Sequence, residues 1–144
     1  MYFSQTTGNV INLFEYETEQ IRTYHVPTPA AGPLGMIIGA DTALWFCEFF
    51  ANKIGRLDVD TGEITEYNLP LAAFGPAVMR AETEGRYLWF TALIGGGLGR
   101  IDEQTGEVKV LTWPTPLSIP VEDTIDGQGN VCESKFDLLR LCRC

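Results

Sequence analysis

A repeat of 43–44 residues runs through this 144-residue chain and restricts its fold more than any other feature. Trp45-Phe46 returns as Trp89-Phe90, and Ile54-Gly55-Arg56-Leu57-Asp58 returns as Leu98-Gly99-Arg100-Ile101-Asp102. Thr61-Gly62-Glu63-Ile64 returns as Thr105-Gly106-Glu107-Val108, and Pro70 as Pro114. These pairs stand 44 residues apart. Upstream the spacing is 43: Tyr2-Phe3 matches Trp45-Phe46, Asn9 matches Asn52, Tyr24 matches Tyr67, and Gly32-Pro33 matches Gly75-Pro76. A period of this length fits a four-stranded propeller blade.

Each unit divides into four short strands. Leu34 to Gly39 is a small apolar run suited to a crowded inner position, and Ala43 to Phe49 is rich in aromatics. Lys53 to Asp58 and Glu63 to Leu69 alternate in the period of two that marks a half-buried strand. Asp60-Thr61-Gly62 and Gln104-Thr105-Gly106 join the last two strands, glycine supplying the positive φ of a short bulged hairpin. In the first unit that position is Glu19, which predicts strain or a different turn. The expected fold is all-β: about three four-stranded blades, with repeats at about 2–44, 45–88 and 89–131. Fifteen glycines and eight prolines agree with many short elements joined by turns.

Ten basic residues against nineteen acidic ones give a net charge of −9. No window supplies the basic patch that nucleic acid or an anionic membrane requires, so neither is an expected partner. No apolar run approaches the roughly 18 residues of a membrane span, and the start lacks the basic flank of a signal peptide. Cys47 stands apart while Cys132, Cys142 and Cys144 crowd the end, which is not a disulfide framework. A reducing, cytoplasmic setting is the expectation.

Residues that recur in every blade read as structure. Trp45, Trp89, Ile54 and Leu98 are expected in the core between blades. Arg56 with Asp58, and Arg100 with Asp102, are expected to form hydrogen bonds that tie neighbouring blades together.

The repeat resembles the virginiamycin B lyase, or streptogramin lyase, family. The motif is a glycine-proline, an apolar strand, Leu-Trp-Phe-x-Glu, Asn-x-Ile-Gly-Arg-Leu/Ile-Asp, a Thr-Gly-Glu-Ile/Val turn and a closing Tyr-x-x-Pro. Residues 33–70 carry it almost unbroken, through Leu44-Trp45-Phe46-Cys47-Glu48, Asn52-Lys53-Ile54-Gly55-Arg56-Leu57-Asp58 and Thr61-Gly62-Glu63-Ile64-Thr65-Glu66-Tyr67. The resemblance implies a seven-bladed propeller that opens streptogramin B antibiotics by elimination, a carbon–oxygen lyase reaction. It also implies a magnesium ion that polarises a carbonyl beside the scissile ester, and a histidine that removes the adjacent proton.

Carried over residue by residue, the implied Glu-Pro-His motif and its following Trp-Phe-x-Glu leave little here. The base position holds Leu34, Ala77 and Val121. The glutamate position holds Glu48, Ala92 and Lys135, so Glu48 alone remains as an implied metal ligand. No catalytic residue is assigned, and this chain alone is expected to be inactive. Seven blades need nearly 300 residues, against about 3.3 repeats here, so the chain reads as incomplete relative to a closed ring. A non-catalytic binding module and an inactive truncated product are the competing readings.

The remaining features are weaker. His25 ends an outer strand and reads as a solvated or capping side chain. Glu122 and Asp123 replace apolar residues on an inner strand, where one of the two can face the channel. Arg80 with Glu82, and Glu84-Gly85-Arg86, read as a solvated loop. From Cys132 the register is lost, so 132–144 reads as a divergent tail outside the repeat, the mark of an altered reading frame, a splice variant or a mis-predicted exon, and 133–144 is expected to be irregular or helical. Cys132, Cys142 and Cys144 form a poor zinc set. The expected partner is a small-molecule ligand at the face of a completed propeller, with self-association through open blade edges.

Overall fold

The structure is a computed structural model that describes residues 1–81, 86–113, 119–125 and 131–136. Among these residues every regular element is a strand. β1 (Tyr2–Gln5), β2 (Val10–Glu15) and β3 (Gln20–His25) form a three-stranded sheet. β4 (Pro33–Ile38), β5 (Leu44–Glu48), β6 (Lys53–Leu57) and β7 (Ile64–Asn68) form the second sheet. β8 (Pro76–Ala81), β9 (Tyr87–Ala92), β10 (Gly97–Asp102) and β11 (Val108–Thr112) form the third. β12 (Ile119–Ile125) pairs with β13 (Val131–Phe136). Neighbouring strands are antiparallel and follow chain order, and the inner strands β4, β8 and β12 lie in succession. This is the expected partial propeller, and the strands fall within a residue or so of their expected bounds.

The core lies in the seams between sheets. Along β5, Leu44 and Phe46 face the first sheet and pack with its Ile11 and Tyr24, with Val26 of the following linker, and with Leu57 of β6. Trp45 and Cys47 face the third sheet, among Ile54, Phe74, Met79, Leu88 and Phe90. This is the two-sided burial of a central blade. The glycine of the Ile-Gly-Arg strand has a packing cause: the Phe46 ring lies across Gly55 and the Phe90 ring across Gly99, where a Cβ would collide with it. The hairpin glycines have two causes. Gly62 and Gly106 take φ of 79° and 72°, and they also seat the rings of Tyr24 and Tyr67 from the preceding sheet. Glu19 does adopt the strained φ of 54° that its position demands.

Asparagine fixes the path from one sheet to the next. Asn9 and Asn52 sit at φ of 57° and 58°. The Asn52 amide donates to the Leu71 carbonyl at 2.7 Å, and its Oδ1 accepts from the amides of Phe74 and Gly75. Asn9 does the same to the earlier linker through Val26, Thr28 and Ala31.

Three expectations need correction. The tail does not leave the fold at Cys132: β13 continues to Phe136, laddered to β12. A strand needs a backbone partner and freedom from Gly and Pro more than it needs the lost aromatic pair, and 131–136 meets both conditions. Residues 137–144, with Cys142 and Cys144, lie outside the described residues.

The Arg–Asp repeats act inside a blade, not between blades. Arg56 bonds Asp41 at 2.7 Å and lies over the Trp45 ring, while Asp58 accepts from the amides of Asp60 and Thr61 to shape its own hairpin. Asp102 likewise shapes its hairpin, and it pairs with Arg86 at 2.8 Å, so Arg86 is held and not merely solvated. Glu82 and Glu84-Gly85 lie outside the described residues.

Trp89 is only half-buried, although Trp45, Ile54 and Leu98 are buried as expected. Tyr67 stacks on Trp45 at 5.5 Å, whereas the equivalent partner position for Trp89 is Leu111, which is exposed.

Trp45→Ala should therefore cost about 3–5 kcal/mol, and Trp89→Ala clearly less, by urea denaturation. Equal costs would contradict this assignment of the seams.

Candidate functional site

The ladder places one end of each blade under close control. Pro33 opposes Glu48 and Pro76 opposes Ala92, so the inner strands begin where β5 and β9 end. Just after each proline the register slips: between Pro33 and Met36, between Pro76 and Met79, and between Pro120 and Glu122. The slipped positions include Leu34, Ala77 and Val121, the three that the resemblance matches to the base. A bulge re-aims the side chain it carries, and the residues at these bulged positions are aliphatic. The inner strands also crowd one another: a Cβ on Gly35 would strike the carbonyl of Ala77.

Glu48 ends β5, fully buried; neither oxygen accepts a hydrogen bond from a donor group, and the Glu66 carboxylate stands beside it as an acceptor for its proton. Burial pushes its carboxyl up to about 7; the charge of Glu66 pushes the same way, and Lys53 opposes both. Lys53 is the cross-strand partner of Glu48. Its ammonium donates to Glu66 Oε2 at 2.8 Å and to Thr28 Oγ1 at 2.7 Å. Glu66 also accepts from the Thr28 amide at 2.9 Å and from the Thr28 hydroxyl at 2.7 Å. Burial works to raise the Glu66 carboxyl, but these bonds from Lys53 and Thr28 outweigh it and hold it below the ordinary range. Four polar groups thus close the seam where the linker after β3 crosses to the second sheet.

Magnesium asks for about six oxygen donors at roughly 2.0–2.1 Å. Here Glu66 is committed to Lys53 and Thr28, an ammonium already stands among the oxygens, and Glu48 is the carboxylate left over. No cluster of three or more His, Cys, Asp or Glu residues gathers among the described residues. This donor set does not fit magnesium.

The other candidates are not brought to this site. His25 is exposed at the end of β3. Glu122 and Asp123 are on β12, opposite Ser134 and Glu133, but their side chains lie outside the described residues, as does that of Cys132. A recess of about 470 Å³ at the other end of the blades is lined by Ala40, Asp41, Arg56, Glu103 and Gln104. Its charges serve packing: Asp41 is taken by Arg56 and Trp45, and Glu103 accepts from the Asp41 amide at 3.3 Å.

Lys53, Glu66 and Thr28 were not singled out from the sequence. The signal was present as a break in the repeat. At the matching positions of the next unit stand Gly97, Val110 and Leu71, with Ala92 for Glu48. The polar seam occurs between the first two sheets and is replaced by small and apolar residues at the next.

Comparison with known proteins agrees with this architecture. A family model described as the virginiamycin B lyase family matches residues 1–138. The structure is similar to virginiamycin B lyase from Staphylococcus aureus, with 32% identity and a TM-score of 0.84, over 92% of this chain and 44% of that one. It is similar to a catalytically inactive form of virginiamycin B lyase from Staphylococcus aureus with quinupristin, at 30% identity and TM-score 0.85, over 93% of this chain and 44% of that one. A streptogramin B lyase structure matches at 30% identity and TM-score 0.83, over 92% of this chain and 43% of that one. The chain therefore spans less than half the length of these proteins.

Glu48 should give the fold a measurable pH dependence. Its folded carboxyl titrates above its ordinary 4.5. The associated stability is fully present below about pH 4.5 and is lost as pH rises through 7, a change on the order of 2 kcal/mol. Glu103, also raised by burial, adds in the same direction. Chemical denaturation at pH 5.5 and pH 8 should show the fall, and Glu48→Gln should remove most of it. A pH-independent wild type would contradict the buried carboxyl set against Glu66.

Proposed function

Because the chain belongs to the virginiamycin B lyase family, we propose that it supplies a scaffold arc of a lyase-type propeller. In this reading the arc shapes the ligand-facing end of the blades and does not carry the elimination chemistry. The observation behind it is the bulged inner-strand position, occupied by Leu34 on β4 and Ala77 on β8. Proton abstraction beside a carbonyl needs a base within hydrogen-bond reach and an electrophile to hold the enolate. Aliphatic side chains offer neither, and Glu48 is sealed within a seam with Lys53 beside it.

The same end of the blades is suited to contact with an apolar ligand. Phe50, in the turn after β5, is 68% exposed; Ile94, after β9, is 60% exposed; and Leu71, in the linker clamped by Asn52, is 40% exposed. Phe50 lies over Gly32 and Ile94 over Gly75, so both are fixed from beneath by the start of an inner strand. An apolar cyclic depsipeptide of the quinupristin kind would meet pre-positioned hydrocarbon here. In a complete lyase, magnesium and a base would come from blades outside this chain.

The test is mass spectrometry of a streptogramin B substrate incubated with the purified chain and magnesium. The substrate should remain cyclic. A linear product carrying the new double bond, and lost on chelation, would overturn the proposal.

A further inference from the structure

At the end of the blades away from Glu48, a side chain of the third sheet reaches across to the second. Glu103, in the β10–β11 hairpin, accepts through Oε2 from the Asp41 amide of the β4–β5 loop at 3.3 Å. Gly39 makes room for this approach, because a Cβ there would strike the same oxygen. The other oxygen, Oε1, is buried and accepts from no donor group, and the Asp41 carboxylate stands beside Glu103 as an acceptor for its proton. Asp41 has a cation of its own: it accepts from Arg56 Nε at 2.7 Å, from Trp45 Nε1 at 3.1 Å and from the Ala43 amide. Burial works to raise the Asp41 carboxyl, but these bonds outweigh it and hold it below the ordinary range. Glu103 lies the other way. Burial pushes its carboxyl up, the charge of Asp41 adds to that push, and the amides of Asp41 and Ala40 oppose it. Among the described residues lining the recess they share, Arg56 is the one cation, and Asp58 draws on its charge from the other side. The position 44 residues before Glu103 is Val59, packed in the apolar cluster of the first seam, so the repeat itself does not demand an acid here.

We propose that Glu103 is a proton-operated latch between the second and third sheets, closed while its carboxyl carries a proton and released when it ionises. In the closed form Glu103 donates its proton to the Asp41 carboxylate while Oε2 accepts from the Asp41 amide, so one side chain grips both the backbone and the side chain of its partner. Losing the proton leaves two carboxylates facing each other beside a single guanidinium, and a buried oxygen with no donor. The loop 39–42 and the hairpin 103–106 then part, widening the recess of about 470 Å³ between them. The direction follows from the raised carboxyl. The latch is fully closed below the ordinary glutamate value of 4.5 and is lost as pH rises through the higher folded value.

The experiment is an NMR pH titration of the full chain that follows the Asp41 amide and the Trp45 indole N–H, which donates to Asp41. Both should shift with one shared midpoint, above that of an ordinary glutamate. Hydrogen exchange at the Asp41 amide, corrected for its intrinsic pH dependence, should lose roughly fivefold in protection across the same midpoint. Glu103→Gln keeps an acceptor and a donor but cannot ionise. It should abolish the transition and hold the Asp41 amide in its low-pH, protected state. Glu103→Ala should leave that amide unprotected at every pH. Glu48→Gln should leave the midpoint where it is, which separates the latch from the titration of Glu48. A transition that persists in Glu103→Gln, or one that Glu48→Gln abolishes, overturns the proposal. So does an Asp41 amide that stays protected in Glu103→Ala, or one that does not shift in the wild type between pH 4 and pH 8.

Discussion

Aromatic rings laid across glycine hold this structure together. Phe46 over Gly55 and Phe90 over Gly99 bring a strand to its neighbour with no Cβ between them. Tyr24 over Gly62 and Tyr67 over Gly106 repeat the device from one sheet to the next. A four-stranded sheet has two faces and cannot bury either alone, so each blade depends on its neighbours for a core. The repeat is the sequence record of that dependence: an aromatic on one strand, a glycine on the next, and a second glycine one blade later. The asparagine clamps at Asn9 and Asn52 then set the linker, which sets where each inner strand begins.

That arrangement explains why the bulged starts of the inner strands and the polar seam lie at the same end of the blades. The linker leaves β3, meets Lys53 and Glu66 at Thr28, and enters β4 at Pro33 directly opposite Glu48. The bulge that follows turns Leu34 out of ladder register. The polar seam therefore sits beside the bulged start of β4, with Glu48 opposite Pro33, the residue before Leu34. Within this chain its charges are spent on one another, because Glu66 is satisfied by Lys53 and Thr28 while Glu48 is buried with a raised affinity for its proton.

The fold was legible because its causes repeat. Trp45-Phe46, the Ile-Gly-Arg strand and the Thr-Gly-Glu turn each appear at fixed spacing, and period-2 alternation locates the strands between them. The site was only half legible. Glu48 was visible as a matched motif residue, but its partners lie five and eighteen positions downstream and twenty upstream, joined only by strand register and linker path. Local pattern does not reveal such convergence. The Arg–Asp pairs misled for the same reason: repetition marked them as structural, but whether they acted within a blade or across blades depended on geometry. At Cys132 the loss of an aromatic motif looked like the end of the fold, although backbone pairing with β12 persists to Phe136.

We propose that Glu48 serves as a sealed acid of the seam and does not hold a metal ion. A carbon-13 NMR titration of the side-chain carboxyl carbons, with and without magnesium, reads this directly. One glutamate, identified by its disappearance in Glu48→Gln, should titrate near pH 7 with a midpoint that magnesium leaves unchanged. A Glu48 signal that titrates at ordinary carboxylate pH, or whose midpoint falls sharply when magnesium is added, would contradict it.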